Sequence, residues 1–316
     1  MKRMILGAGF GLAAIVAAQA ADAPAPVHTT DAPAPSFFVF SDTTAGYRFL
    51  DDSREPGLRA VKGDPREGRG VPKNITFFTH ADNFGYGTNF VNIDVIKSGS
   101  QDPTGFAFPN NRIQTGVGAT EVYAVYRGSL SGNAFTAPKT FAVPGLIKDV
   151  SLSYGFDLNG KDTAFGPRKR VGVTGLVFAL DVPAGFINVA VHAYKEFNRN
   201  GIVVEPMRSV EFNLVPEFEI SYNIPLAFTG LPLRLAGFSN IVLPKGRNGF
   251  GQATETEWLS RSNLLFDLGK YFYSQPNRLE AFIGFQYWRN KFGEDQRYRI
   301  GAESKNIQAG FIIHAF

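Results

Sequence analysis

Beyond residue 36 the chain alternates apolar and polar side chains over segments of about nine to fifteen residues. Successive side chains of a strand point to opposite faces, so each such segment carries one apolar and one polar face. Between Val210 and Tyr222, the residues Val210, Phe212, Leu214, Pro216, Phe218, Ile220 and Tyr222 share one face. Glu211, Asn213, Val215, Glu217, Glu219 and Ser221 share the other. Ile187, Val189, Val191 and Ala193 likewise oppose Asn188, His192, Tyr194 and Glu196, and the pattern returns at 90–95, 121–130, 149–159 and 279–288. Weaker candidates near 37–50, 74–82, 171–182, 232–243, 259–272 and 306–316 bring the expected total to about twelve strands, and no segment holds a helical stripe. A tilted strand needs about nine to eleven residues to cross a bilayer, whereas soluble strands average nearer five or six. The expected fold class is therefore all-β, an antiparallel transmembrane β-barrel of about 12 strands.

Connection lengths support closure. Short reversals at Asp82–Tyr86, Asp181–Gly185 and Ser274–Asn277 alternate with long connections at Asp51–Lys73, Ser98–Thr120, Asn159–Arg170, Phe197–Ser209, Pro244–Glu257 and Phe292–Lys305. Such asymmetry is expected when one end of a barrel faces the medium and the other the periplasm. Ser131–Leu146 is too long for a simple turn and points to an irregular strand end.

The N-terminus reads as a targeting device. Lys2 and Arg3 precede an apolar, Gly/Ala-rich run, and Ala18-Gln19-Ala20 supplies the small residues of a cleavage site, so residues 1–20 are expected to be a signal peptide. Its removal leaves 296 of 316 residues and lowers the net charge from +4 to +2, the two charges lost being Lys2 and Arg3. Residues 21–36, with repeated Ala-Pro steps, read as an extended arm, and 37–316 as the barrel, placing the protein in a bacterial outer membrane.

Composition removes whole classes of chemistry. With no Cys and four His, thiolate chemistry and Cys-ligated metals are excluded, and no metal site or cofactor is expected. Charge is neither large nor clustered enough for a nucleic-acid binder. The glycine-rich strings at 85–87 and 246–251 do not join a strand to a helix, which leaves a phosphate-cradling loop without support.

With the apolar faces toward lipid, the polar faces line an interior holding Asp149, Asp157, Glu196, Glu211, Glu217, Glu219, Asp267 and Glu280, countered by Arg48, Arg127 and Arg234. Aromatic residues share that register. Phe38, Phe40, Phe90, Tyr123, Phe238 and Trp288 are candidate stacking surfaces, and Asp42, Asp94, Glu121, Arg127, Glu217, Glu219, Arg234 and Asn240 are candidate polar contacts. Rings among carboxylates, amides and guanidinium suit weak, reversible recognition of a flat heterocycle bearing hydroxyls.

The strings Gly237-Phe238-Ser239-Asn240 and Tyr287-Trp288-Arg289-Asn290, with Leu152-Ser153-Tyr154-Gly155-Phe156 more loosely, resemble strands of the nucleoside-specific channel-forming (Tsx-like) outer-membrane family. The resemblance implies a monomeric twelve-stranded barrel that passes nucleosides. The chain departs from that family in being rich in Phe and poor in Trp. The terminal Phe316 resembles the C-terminal signature read by barrel-assembly machinery. The other partners expected are outer-membrane lipid and lipopolysaccharide. Two further classes stay open: a phospholipase-like barrel enzyme, for which His80 and His192 are expected on the polar face, and an adhesive or structural barrel acting through its long loops.

Overall fold

A computed structural model describes residues 37–56, 70–99, 102, 118–162, 166–199 and 209–315. The expected signal peptide and N-terminal arm, parts of four of the long connections and Phe316 lie outside the described residues. The strands are β1 (Phe38–Ser53), β2 (Val71–Phe84), β3 (Gly87–Ser98), β4 (Ala119–Ser131), β5 (Ile147–Lys161), β6 (Arg170–Leu180) and β7 (Phe186–Arg199). They continue with β8 (Ser209–Glu211), β9 (Val215–Pro225), β10 (Leu233–Val242), β11 (Glu257–Asp267), β12 (Leu279–Arg289) and β13 (Ser304–Ala315). Each stave bonds antiparallel to its neighbours, and β1–β13 and β6–β7 pairings close the ring. β8 is a short piece in line with β9 against β7, so the fold is a closed antiparallel barrel of twelve staves.

Alternation sets the two surfaces. Phe78, Ile93, Val122, Leu158, Phe218, Ile283 and Phe311 are exposed on the outer wall, while their strand neighbours Phe77, Asp94, Tyr123, Asp157, Glu217 and Phe282 are buried inside. Five of the six clearest sequence segments take the faces expected of them, and the sixth does so from Val215 to Tyr222.

Residues at three places leave the faces that alternation assigns, and at the first of them Phe212, expected on the outer face, is buried under Lys245. Glu211 pairs with Phe197 and Val215 with Tyr194, so four steps along one chain answer three along the other. The extra residue turns Glu211 outward, where its carboxylate meets Lys195 at 2.7 Å. A bulge between Phe38 and Phe40 likewise turns Phe38 out to the rim, edge-on to Phe37. His80 pairs with Thr43 on the outer wall rather than lining the lumen. The expected strand at 259–272 stops at Asp267, whose side chain accepts a hydrogen bond from the Lys270 N–H and caps a helix, α1 (Leu268–Tyr273). The long 131–147 connection contains a 3₁₀ turn at Gly132–Ala134, the irregular strand end expected there.

Candidate functional site: the lumen

The inward faces build a lumen filled in layers. Toward the short-turn end, where both described ends of the chain lie, a cavity of about 450 Å³ is lined by Phe40, Phe90, Arg127, His192, Glu219 and Ser221 among others. Near that mouth, Arg234 on β10 grips the Glu280 carboxylate through Nε and a terminal nitrogen, and His314 bridges Glu280 at 3.3 Å to Asp42 at 3.0 Å.

Above the cavity the lumen narrows. Arg127 donates to Asp157 at 2.6 Å, and its Nε stands 3.8 Å from Glu219 on β9, with three staves between the two strands. Tyr123 donates to Asp157 at 2.8 Å, and His192 sits between Glu217 at 3.3 Å and Ser153 at 3.1 Å. Across the barrel, Arg48 donates to Asp94 at 2.7 Å, which also accepts from Asn92. Arg261 donates to Gln286 at 3.0 Å and covers the Phe238 ring at 5.5 Å. Phe90, Tyr123, Phe238, Leu259 and Trp288 belong to one buried apolar cluster drawn from opposite stretches of the wall. Gly46 makes room for this filling, since a Cβ there would lie 2.3 Å from the Phe77 ring.

The long-loop end is closed by charge. Glu196 accepts from Tyr194 at 2.8 Å and from Lys245, which stands over the Phe212 ring at 4.7 Å, while Glu257 accepts from the Trp288 indole at 2.9 Å. In the outermost layer, Glu55 meets Lys73 and Lys291, and Asp102 meets Lys161 at 2.7 Å and Ser98 at 2.6 Å. Glu121 accepts from Asn159 at 2.6 Å beside them. Glu55 and Asp102 come from connections, not strands.

Burial favours the neutral acid at Glu55, yet the ammoniums of Lys291 and then Lys73 outweigh it and hold the carboxyl below its ordinary range. Burial acts the same way on Asp102, where Lys161 and then Lys73 reverse it and leave the group well below its ordinary range. For Lys291 burial dominates the attraction of Glu55 and pushes its value down to about 8.

Of the residues singled out from sequence, Phe40, Phe90, Arg127 and Glu219 meet at the cavity. Asp42 and Arg234 lie at the short-turn mouth, joined through His314 and Glu280. Asp94, Glu217 and Asn240 lie in the narrowed middle, Asn240 within 3.4 Å of Glu217. Tyr123, Phe238 and Trp288 are packed inside, and Glu121 belongs to the long-loop layer. Phe38 stands apart on the rim. Asp267 spends both carboxylate oxygens on backbone N–H groups of the α1 turn. Sequence reasoning missed Lys73, Lys161, Lys245, Arg261 and Lys291. Arg261 shares a face with Leu259 and Leu265, which hides it, and Lys245 and Lys291 lie past the strand ends where alternation stops.

No protein-family model matches the chain, and no curated protein matches it in sequence. Among solved structures, the KdgM porin is similar at 8% identity and a TM-score of 0.39, over 86% of this chain and 99% of that one. The translocator domain of the autotransporter NalP from Neisseria meningitidis is similar at 11% identity and 0.39, over 87% and 88%. The outer membrane protein opdK from Pseudomonas aeruginosa is similar at 8% identity and 0.32, over 88% and 100%. Likeness at this distance transfers no function.

Proposed function

We propose that this chain is an outer-membrane channel giving diffusive passage to small polar solutes with a flat apolar face, nucleosides among them. The observation that carries the reading is the inversion of surfaces, an apolar outer wall around a polar lumen that contains a solute-sized cavity. Water would not tolerate so much exposed Phe, Ile, Leu and Val, whereas lipid favours it. Aromatic residues at both ends fit the two membrane interfaces. Tyr86, Phe135, Phe228 and Tyr271–Tyr273 are exposed at the short-turn end, and Trp258 packs edge-on against Tyr287 at the other. The long loops then face the medium and the short turns the periplasm.

Within the cavity, Phe40 and Phe90 offer apolar surface while Arg127, Glu219 and Ser221 offer hydrogen-bonding groups. The Tsx-like strings agree with a nucleoside but rest on short stretches of sequence. Liposome swelling with the refolded mature protein tests the choice of solute. Adenosine and thymidine are expected to enter faster than a disaccharide, and equal rates for all three would remove the selectivity.

A second reading has one observation in its favour. On the outer wall Thr43 Oγ1 lies 2.8 Å from His80 Nδ1, and His80 Nε2 lies 3.3 Å from Asp82. A hydroxyl, imidazole and carboxylate in series at a lipid-facing rim is the arrangement an acyl hydrolase uses. Asp82 is also tied to Asn89, and Asn89 to Tyr126, which makes the chain equally a cross-strand polar belt. Release of fatty acid from phospholipid by the purified barrel, abolished by His80→Ala, would decide for the enzyme.

A further inference from the structure

We propose that Lys73 and Lys291 form a carboxylate-binding site at the long-loop mouth, occupied by Glu55 of the chain itself. A solute bearing a carboxylate on a flat ring displaces Glu55 as it enters. This rests on the channel reading and adds small aromatic acids to its solute class at the outer mouth.

Glu55 lies just past the end of β1, yet its side chain is fully buried. Its Oε1 lies against the Lys73 ammonium and 3.3 Å from that of Lys291, while its Oε2 has no hydrogen-bond partner. A carboxylate with one buried oxygen unsatisfied is an imperfect occupant of a dicationic site. A ligand with a better fit has room to compete.

The surroundings select a ring. Lys291 Nζ stands 4.5 Å from the centre of the Trp288 ring and 5.5 Å from that of Phe292. An acid with its carboxylate on the ammoniums therefore meets aromatic surface at once. Among the described residues the other charges in this layer are Asp102, Glu121 and Lys161; Asp102 meets Lys161 at 2.7 Å and Glu121 accepts from Asn159. Glu55 is the carboxylate in contact with both Lys73 and Lys291.

The occupant is held by contacts that can be released. Arg54 N–H donates to Ser304 Oγ at 3.0 Å, and Lys291 Nζ donates to the Arg54 carbonyl at 2.8 Å. Gly301 admits this segment, because a Cβ there would lie 1.9 Å from the Glu55 carbonyl oxygen. None of these bonds belongs to the barrel ladder, so residues 54–56 can lift without opening a stave.

The chain has two Trp, so Trp258→Phe leaves Trp288 as the only indole reporter. The refolded mature protein in this background is titrated with benzoate, with benzyl alcohol as the uncharged control, and Trp288 fluorescence is read. Because an internal competitor lowers apparent affinity in proportion to its occupancy, Glu55→Gln should bind benzoate about tenfold tighter than the parent. Glu55→Gln/Lys291→Gln should lose the response, Glu55→Asp should fall between parent and Glu55→Gln, and benzyl alcohol should give no change. Equal benzoate affinity in parent and Glu55→Gln, or an equal response to benzyl alcohol, would overturn the site. Heat-modifiable migration checks that each variant closes its barrel, and Glu55→Asp carries the test if Glu55→Gln does not close. Benzoate binding in this pattern by a barrel that passes no current sustains the site and overturns the channel reading. Current without any benzoate response does the reverse.

Discussion

Arg127 is the side chain on which most of the lumen's narrow level depends. It neutralises Asp157 directly and faces Glu219, while Glu217 and His192 lie in the same layer. Removing one partner of a buried charge cluster leaves the others unpaired, a loss of about 3–5 kcal/mol. Arg127→Met is therefore expected to lower the unfolding free energy of the lipid-embedded barrel, read from urea titration, by that order, and an unchanged value would mean that water already screens this level. The aromatics carry two roles that a pair of substitutions separates. Phe238, buried against Arg261, is expected to act through packing, so Phe238→Ala should cost about 3–5 kcal/mol of stability. Phe90 shares that packing and also lines the cavity, so Phe90→Ala should weaken nucleoside block of the current as well as stability. Lys291 gives a pH signature. Its folded value, about 8, lies below that of the unfolded chain, so between pH 8 and the ordinary lysine range the unfolded chain holds more protons. Stability contributed by this group rises with pH through that window, and the cost of burying its charge is fully present below it. Wild type should therefore gain on Lys291→Gln in unfolding midpoint from about pH 7 to about pH 10. A relative loss would contradict the assignment.

At the scale of the strand, register decided what was legible. Alternation placed Glu217, Glu219 and His192 inward and Phe218 and Ile220 outward because the outer faces of β7 and β9 are apolar over most of their length. A slip of one residue exchanges the faces, and the breaks at 212–214 and at 38–40 did so for Glu211 and Phe38. His80 misled for a different reason, since near the strand end it meets Thr43 and Asp82 in a polar patch on the outer wall. The outward assignment is itself testable. Ile283 is 58% exposed in the middle of β12, opposite Leu264 and Ala309. Ile283→Arg should destabilise the barrel in a bilayer by about 2–4 kcal/mol, measured by reversible unfolding from liposomes. A neutral effect would place this face in water.

At the scale of the whole molecule, closure brings together what the sequence holds far apart. Asp42 and His314 come from the first and last strands and meet because β1 pairs with β13. The fold was legible because a repeated period needs no long-range information. The mouth layer was not, because Glu55, Asp102 and Lys291 lie beyond the periodic segments and only the ring closes them into one cluster. Likewise, that Tyr123, Phe238 and Trp288 pack together follows from barrel curvature and not from any single strand. In the channel reading this layered lumen is a path through a membrane. Single-channel recording of the refolded mature protein in a planar bilayer, with adenosine and thymidine titrated against glucose, tests it most directly. Small unitary steps that fall saturably with either nucleoside and not with glucose are predicted. Closed, membrane-inserted barrels that give no unitary current at all would contradict it.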